Sequence, residues 1–259
     1  MITDSLIVYR EIGAVGVIEL ARPEKLNALT PSMLTDLETI AARLDNSRDI
    51  RSVVLTGQGK AFCVGADISV WSALQPLDMW RDWIRNGHRV FDRLARLRQP
   101  TIAALNGHAL GGGLELAATA DLRIAEPGVT FGLPEASIAT CPGWSGSQRL
   151  VRLIGPSAVK YMALAGQRVD AETALRTGLV QKIVPPGTVL DEALALASRV
   201  AELAPISAQL TKQLIDAAAG EGFAASMEGM AGALAASTLD AGEGLASFQE
   251  KRKAEYRGK

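Results

Sequence analysis

The sequence is short of cysteine, of net charge and of long apolar runs. Its two cysteines, Cys63 and Cys141, lie far apart and outside any CxxC spacing, so we expect buried, reduced thiols in a reducing compartment. A net charge of −1 offers no basic field to nucleic acid and no strong attraction to an anionic membrane. No window approaches the ~18 consecutive apolar residues of a membrane span, and the first residues lack the apolar stretch of a signal peptide. We therefore expect a cytoplasmic protein that binds neither nucleic acid nor membrane.

The chain is long and apolar enough for one large globular domain, with 259 residues of which 48% are hydrophobic. Strand-like and helix-like patterns alternate up to about residue 140, which predicts parallel strands joined by helices. After that point helical patterns dominate, and only Leu179–Val184 resembles a strand. The sequence therefore predicts an α/β fold with a helical C-terminal part.

A glycine-rich segment, Gly57–Asp67, directly follows the predicted strand Ser52–Thr56. Ligands of open α/β sheets bind outside the carboxyl ends of strands, where this segment lies. Its three glycines allow a sharp turn with exposed N–H groups. An ordinary glycine-rich turn is the alternative interpretation.

A second such segment follows the predicted strand Thr101–Leu105 and runs from Asn106 to Glu115 into a helix start. The first N–H groups of a helix have no intrahelical partner, and the helix dipole adds positive potential there. A nucleotide P-loop is excluded because no GxxxxGK[ST] pattern is present. Two N–H donors from separate loops would suit a thioester oxygen that becomes an oxyanion.

Glu115 and Glu135 are lone acids in apolar stretches. Such acids should be partly desolvated, which moves their pKa values toward neutral pH and suits acid–base chemistry. The alternatives are a favourable acid at a helix N-terminus for Glu115 and a surface acid after a turn for Glu135.

Other candidate sites are weaker. Arg81, Arg85, Arg89, Arg93 and Arg96 form a stripe on a predicted helix, Arg81–Leu97, which is more typical of a solvated face than of a CoA or RNA site. Neither histidine has a Cys or His partner at metal-ligand spacing, so we expect no metal site. No GxSxG pattern supports a serine nucleophile.

Six segments resemble, in order along nearly the whole chain, the motifs of the crotonase (enoyl-CoA hydratase/isomerase) superfamily. They are Arg22–Leu29, Ala61–Asp67, Asn106–Leu116, Phe131–Glu135, Pro142–Gly143 with Gln148–Leu150, and Ser247–Lys253. The resemblance implies an α/β, crotonase-like spiral of ββα units over residues 1–195. It also implies a helical C-terminal trimerisation region over residues 196–259, and a homotrimer or a dimer of trimers.

The resemblance implies catalytic roles for five positions. The backbone N–H groups of Ala66 and Gly112 would form an oxyanion hole, and Glu115 and Glu135 would be the two catalytic glutamates. The N–H of Gly143 would help to position a water molecule. We expect Glu135 to be ionised and Glu115 to orient the water and share the proton.

Seven further positions are implied to contact an acyl-CoA, either along the adenine and pantetheine path, beside the thioester, or from the C-terminal helix of a neighbouring subunit. They are Lys25, Leu26 and Ala28; Asp67 and Ile68; and Phe248 and Lys251. No separate cofactor is implied, because CoA is part of the substrate.

The implied activity is hydration of a 2-enoyl-CoA to a 3-hydroxyacyl-CoA through an enolate-like intermediate, since hydratases of this superfamily keep both glutamates. A double-bond isomerase, or a dehydratase, hydrolase or decarboxylase, is the alternative. A non-catalytic acyl-CoA binder, or an RNA binder acting through the arginine stripe, belongs to a different class.

Two features depart from the hydratase pattern. Trp144 and Ser145 stand where the hydratases carry Ala and Gly. The segment Val70–Trp83, with three tryptophans, is also unusual, and we expect its aromatic side chains to shape acyl specificity.

Overall fold

The computed structural model describes residues 6–71 and 73–259, the side chains at positions 71 and 224 excepted. The chain divides into two compact units, which run up to Gln209 and over Leu210–Lys259. The division between residues 195 and 196 that the resemblance implies stays a prediction. None of the helices in the described part is long and apolar enough to cross a membrane.

The described residues of the first unit form ten strands. They are β1 (Ile7–Ile12), β2 (Val15–Leu20), β3 (Ser52–Gly57), β4 (Ala61–Cys63), β5 (Thr101–Leu105), β6 (His108–Leu110), β7 (Leu122–Ala125), β8 (Thr130–Gly132), β9 (Val169–Asp170) and β10 (Lys182–Ile183). A six-stranded sheet has the order β1, β2, β3, β5, β7, β10, and a four-stranded sheet has the order β4, β6, β8, β9. The pairs β1–β2 and β8–β9 are antiparallel and the other described pairs are parallel.

Eleven α-helices connect or follow these strands in the described residues. They are α1 (Pro31–Asn46), α2 (Ile68–Trp71), α3 (Pro76–Asp78), α4 (Arg85–Ala95), α5 (Gly112–Ala117), α6 (Gly146–Leu164), α7 (Ala171–Thr177), α8 (Val189–Ala201), α9 (Pro205–Ala218), α10 (Phe223–Ala236) and α11 (Leu239–Glu250). Short 3₁₀ turns lie at Pro23–Lys25 and Glu135–Ile138, and a π-helix at Met79–Ile84 runs into α4.

The large sheet is buried on both faces, which is why its central strands read as continuous apolar runs. In β3, Val53 and Leu55 pack into the core cluster that contains α1 and α4, whereas Val54 packs with residues of α8 on the other face. Because successive side chains of a strand point to opposite faces, β3 contributes to two separate core layers. This arrangement fixes the ends of β3 and β5, from which the two glycine-rich segments leave.

Two predictions about local structure were wrong. Each glycine-rich segment contains a short strand, β4 or β6, where we expected only a loop or turn. Three-residue strands are too short to show a period in sequence. The predicted helix Arg81–Leu97 begins instead as the π-helix Met79–Ile84 before the α-helical α4.

The second unit consists of the end of α9 and of α10 and α11 with the C-terminal residues. Within it, Arg252 donates to Glu243 at 2.5 Å, and Thr238 caps the first turn of α11. Large apolar side chains on these helices are exposed, among them Phe223, Leu234 and Phe248.

Candidate active site

Ala66 follows β4 and presents an N–H group that has no partner in the described part of the chain. A parallel bridge joins it to Leu29: the N–H of Leu29 donates to Gly65 O at 2.8 Å and the N–H of Asp67 donates to Leu29 O at 2.9 Å. In such a ladder the residue between the two bonds directs its own N–H to the opposite side. Ala66 also lines the cavity described below.

Gly112 is the first residue of α5, so its N–H has no acceptor within the helix. The segment lies very close to the first loop, because a methyl group placed at Gly65 would lie 3.0 Å from the nitrogen of Gly112. The φ of Gly65 is +101°, a conformation that favours glycine. The structure thus brings the two glycine-rich segments together, with the N–H-bearing residues of both at one cavity.

Glu115, in the first turn of α5, is 2% exposed. Its Oε1 accepts the N–H of Trp144 at 2.9 Å and the N–H of Gly146 at 2.8 Å. Burial raises the pKa of Glu115, and the N–H groups of Gly146, Trp144 and Gly143, together with the charge of Arg149, act in the opposite direction. The carboxylate is buried but well supplied with donors.

Glu135 begins the 3₁₀ turn after β8 and is 9% exposed. Neither carboxyl oxygen has a hydrogen-bond partner among the described residues. Burial raises the pKa of Glu135 to about 7, and the nearby Glu115 adds to the shift. The alternative interpretation as a surface acid is therefore wrong, and both glutamates have the raised pKa that their apolar surroundings predicted.

One cavity of about 130 Å³ joins these four residues. Its remaining lining is mostly apolar and comes from the first loop, from the π-helix and from the two turns on either side of residue 140. The residues are Val64, Gly65, Ile68, Met79, Trp83, Ile84, Gly111, Pro134, Ile138, Thr140, Cys141, Gly143 and Trp144. Two buried glutamates and two residues with available N–H groups thus line one mainly apolar space.

Of the predicted CoA contacts near the thioester, Ile68 lines the cavity and is 52% exposed. The carboxylate of Asp67 instead accepts from Arg22 Nη1 at 2.6 Å and from Ser69 Oγ at 2.6 Å. The hydrogen bonds from Ser69 and Arg22 lower the pKa of Asp67. Its side chain therefore fixes the turn after Ala66, and a direct contact with the thioester stays a prediction.

The other predicted CoA contacts lie outside the cavity lining. Lys25 and Leu26 are exposed and Ala28 is buried, while the N–H of Val64 donates to Leu26 O at 3.2 Å and ties this segment to the first loop. Phe248, on α11, is 83% exposed, and Lys251 ends that helix in a left-handed conformation.

Sequence reasoning gave no role to several residues behind Glu115. Arg149 is 5% exposed, donates to Asp92 Oδ1 at 2.5 Å, and has no described partner for Nε and Nη1. Ser145, at a φ of +72°, shares a hydrogen bond with His88 Nδ1 at 2.9 Å. His88 and Asp92 are four residues apart on α4, and Ser145 and Arg149 are also four residues apart. This matched helical spacing was the one sequence signal that could have predicted the two contacts.

The cysteine prediction holds for one residue only. Cys63 is fully buried, and burial raises the pKa of its thiol to about 12. Cys141 is exposed at the cavity, because it lies in the turn between the 3₁₀ helix and α6 rather than in a core element.

The arginine stripe forms ion pairs within the protein. Arg89 and Arg93 reach Glu38 on α1, Arg93 also reaches Asp45, and Arg96 pairs with Asp92 at 3.5 Å. The predicted solvated face is thus partly a helix–helix contact. In the described residues, no group of three His, Cys, Asp or Glu side chains could hold a metal ion.

Of the three tryptophans in Val70–Trp83, Trp83 lines the cavity and Trp80 is 56% exposed. The side chain of Trp71 lies outside the described residues. Trp144 is buried at 3% exposure and contacts both Trp83 and Phe91.

Comparison with known proteins gives consistent matches over nearly the whole chain. A family model described as Enoyl-CoA hydratase/isomerase matches residues 10–259. The Short-chain-enoyl-CoA hydratase of Clostridium acetobutylicum is 36% identical over 252 residues, which is 96% of each chain. The (E)-benzylidenesuccinyl-CoA hydratase of Thauera aromatica is 38% identical, over 94% of this chain and 96% of that protein. The crystal structure of an enoyl-CoA hydratase from Bacillus anthracis matches with a TM-score of 0.82 at 34% identity, over 98% of this chain and 100% of that one.

Proposed function

The chain belongs to the enoyl-CoA hydratase/isomerase family, and from this premise we propose that it hydrates a 2-enoyl-CoA thioester to a 3-hydroxyacyl-CoA. The predicted resemblance and the α/β fold class with its helical C-terminal part are confirmed. The observation that most supports the activity is that one cavity holds two buried carboxyl groups, of Glu115 and Glu135, and the N–H groups of Ala66 and Gly112, for which the described residues offer no acceptor.

In the proposed reaction the thioester oxygen accepts hydrogen bonds from the N–H groups of Ala66 and Gly112. Electron density moves toward this oxygen, so C3 becomes electrophilic. The oxygen carries most negative charge in the enolate-like state, and fixed donors therefore stabilise that state more than the substrate. Loss of one such donor typically costs about 2.7–4 kcal/mol.

We propose that Glu115 is the ionised carboxylate and that Glu135 holds the proton, the reverse of our expectation from the sequence. Glu115 has two backbone donors and lies near the buried Arg149, all of which favour its charged form. Glu135 has no such donor among the described residues, and its pKa of about 7 leaves it substantially protonated at neutral pH. Because the two acids interact, they titrate as a pair.

Water then adds across the double bond in balanced steps. Glu115 takes a proton from the water as its oxygen bonds to C3, and Glu135 gives its proton to C2 of the enolate. Transfer of a proton from Glu115 to Glu135 after product release restores the starting state. The reaction needs no redox partner, and we propose that it needs no cofactor beyond the CoA of the substrate.

We further propose that the CoA moiety leaves the cavity past Ile68 toward Lys25, Leu26 and Ala28. Phe248 and Lys251 would reach it in a homotrimer or a dimer of trimers, and the exposed apolar side chains of α10 and α11 support burial of that unit in an assembly. A reducing, cytoplasmic location stays a prediction from the cysteines.

Double-bond isomerisation is the alternative within the family. It moves one proton between two carbons and can use a single carboxyl group, whereas hydration must handle a water proton as well. The presence of two buried acids at the cavity therefore favours hydration.

A steady-state assay tests the proposal. The protein is incubated with crotonyl-CoA and, separately, with a 3-enoyl-CoA, and loss of the 2-enoyl absorbance and formation of each product are followed. We expect hydration of crotonyl-CoA. Conversion of the 3-enoyl-CoA without any hydration would assign the isomerase activity instead.

A further inference from the structure

The indole of Trp144 forms one wall of the cavity and is held in an aromatic cluster. Its ring lies 5.2 Å from that of Trp83 at 58° and 5.1 Å from that of Phe91 at 64°, centroid to centroid. Trp83 and Trp144 are 5% and 3% exposed, and Phe91 is fully buried. Tilted and edge-on ring pairs at this spacing attract one another beyond simple burial, so the wall is a packed unit.

Two glycines show how closely the backbone approaches this indole. A methyl group at Gly112 would lie 2.8 Å from Cζ3 of Trp144, and one at Gly87 on α4 would overlap the pyrrole edge of the ring. The indole therefore spans the space between the oxyanion donor Gly112 and helix α4. It stands directly beside the position at which the thioester carbonyl would bind.

The wall is also fixed in position. The N–H of Trp144 donates to Glu115, and the next residue, Ser145, is bonded to His88 on α4. The side chain cannot turn away without displacing rings in a close-packed core, which is costly. An acyl group that meets this wall therefore cannot push it aside.

In the binding mode of the proposed function, the acyl end of the substrate points toward this wall. If the carbonyl oxygen lies on Ala66 and Gly112 and the sulfur leaves past Ile68, the atoms beyond C3 extend toward Trp83 and Trp144. Phe91 and the backbone of Gly87 on α4 lie directly behind the indole of Trp144, so a longer chain has no open space beyond it.

We propose that Trp144 is a specificity-determining residue that closes the acyl pocket and restricts the enzyme to short-chain 2-enoyl-CoA substrates. This inference rests on the proposed function and adds the substrate class to it. The indole fills the space that a longer chain would need, in the position where the hydratase pattern has a small residue.

The test is the chain-length profile of kcat/KM for crotonyl-CoA, 2-octenoyl-CoA and 2-dodecenoyl-CoA. Discrimination by a hydrophobic pocket is about 10–200-fold per methylene, so we expect crotonyl-CoA to exceed 2-octenoyl-CoA by about 100-fold or more. Trp144→Ala and the milder Trp144→Leu should each reduce this ratio by about tenfold or more. The Leu variant keeps an apolar side chain in the core and guards against loss of folding.

Trp80→Ala is the matched control, because Trp80 is exposed and does not line the cavity. It should leave the chain-length profile unchanged. Equal kcat/KM for crotonyl-CoA and 2-dodecenoyl-CoA in the unmodified protein would overturn the inference and leave the proposed function intact. A folded Trp144→Leu variant with an unchanged profile would overturn it as well.

Calorimetric binding of butyryl-CoA and dodecanoyl-CoA separates the two proposals. Tighter binding of butyryl-CoA, with the preference lost in Trp144→Leu, would support the restriction even if no substrate were hydrated, and the proposed function alone would then fail. Equal binding of both thioesters without hydration would overturn both.

Discussion

Helix α5 and the 3₁₀ turn at Glu135–Ile138 each bring one glutamate to the cavity, yet they surround the two carboxyl groups differently. Glu115 is the more buried, but two backbone N–H groups and a nearby arginine favour its anion. Glu135 is slightly more accessible and has no described donor. The comparison shows that burial makes both acids weaker, and that the hydrogen bonds around each decide which one can give up its proton first.

The largest expected effect comes from removing either acid. Glu115→Gln and Glu135→Gln should each lower kcat for crotonyl-CoA hydration by about 10²–10⁴-fold, the usual contribution of a general acid or base, while CoA-thioester binding stays nearly unchanged. Rates come from the absorbance assay and binding from calorimetry. Glu172→Gln, exposed on α7, is the control. Unchanged turnover in both variants would refute the two-carboxylate mechanism.

Glu135 should also make stability depend on pH. Its pKa rises from 4.5 to about 7 on folding, so the folded state prefers the protonated form. Stability from this group is fully present below about pH 4.5 and is lost as pH rises through about 7, by about 3 kcal/mol at 1.36 kcal/mol per pKa unit. Urea unfolding at pH 5 and pH 8 should show most of this loss in the original protein relative to Glu135→Gln. If the unfolding free energies of the original protein and of Glu135→Gln changed equally with pH, the raised pKa of Glu135 would be contradicted.

Replacing Arg149 tests whether a nearby positive charge favours the anion of Glu115. Arg149→Met removes the cation near Glu115 and the bond to Asp92. It should cost about 1.5–3 kcal/mol of unfolding free energy. The pKa of Glu115 should rise further, so the acidic limb of the kcat profile should move to higher pH. Arg149→Lys, which keeps the charge, should move the limb less. An unmoved limb in the Met variant would show that Arg149 has no electrostatic effect on Glu115.

Ser145 lies between the two residues whose N–H groups donate to Glu115. Substitutions at Ser145 distinguish the effect of its left-handed backbone from that of its hydrogen bond to His88. Ser145→Ala loses the bond to His88 and keeps the positive φ, so we expect a loss of about 1 kcal/mol in thermal or urea unfolding. Ser145→Gly loses the same bond but relieves about 1–2 kcal/mol of left-handed strain, and should remain close to the original stability. An Ala variant at least as stable as the Gly variant would contradict this account.

The smallest effect is a change in thiol reactivity at the cavity. Cys141 is exposed there, whereas Cys63 is buried with a pKa of about 12, so a chromogenic disulfide reagent should modify one thiol. Saturating butyryl-CoA should slow that reaction several-fold, because the ligand covers the cavity. Cys141→Ser should show no fast reaction. A rate that does not respond to butyryl-CoA would place the ligand elsewhere.

The parts of the site that are set by neighbouring residues in the sequence could be predicted from it. Strands Ser52–Thr56 and Thr101–Leu105 were predicted within a residue of β3 and β5, because a strand buried on both faces gives a continuous apolar run. The raised pKa values of Glu115 and Glu135 also followed from the apolar residues around each acid.

The rest of the site depends on contacts between distant segments. The hydrogen bonds from residues 144 and 146 to Glu115, and from Arg149 to Asp92, join positions at least 29 residues apart. Helical spacing on α4 hints only at the pair of Asp92 and Arg149, and no local pattern encodes the bonds to Glu115, on which its proposed ionisation depends. The π-helix at Met79–Ile84 escaped notice because its spacing differs little from that of an α-helix over six residues.

Position 144 also has a consequence for how the enzyme can diverge or be redesigned. Its N–H supports Glu115, while its indole closes the pocket. The backbone group is the same for every residue except proline, so the side chain is free to change without removing that donor. Apolar substitutions at this single position should therefore vary the accepted acyl group over a preserved reaction, whereas proline would remove the donor to Glu115.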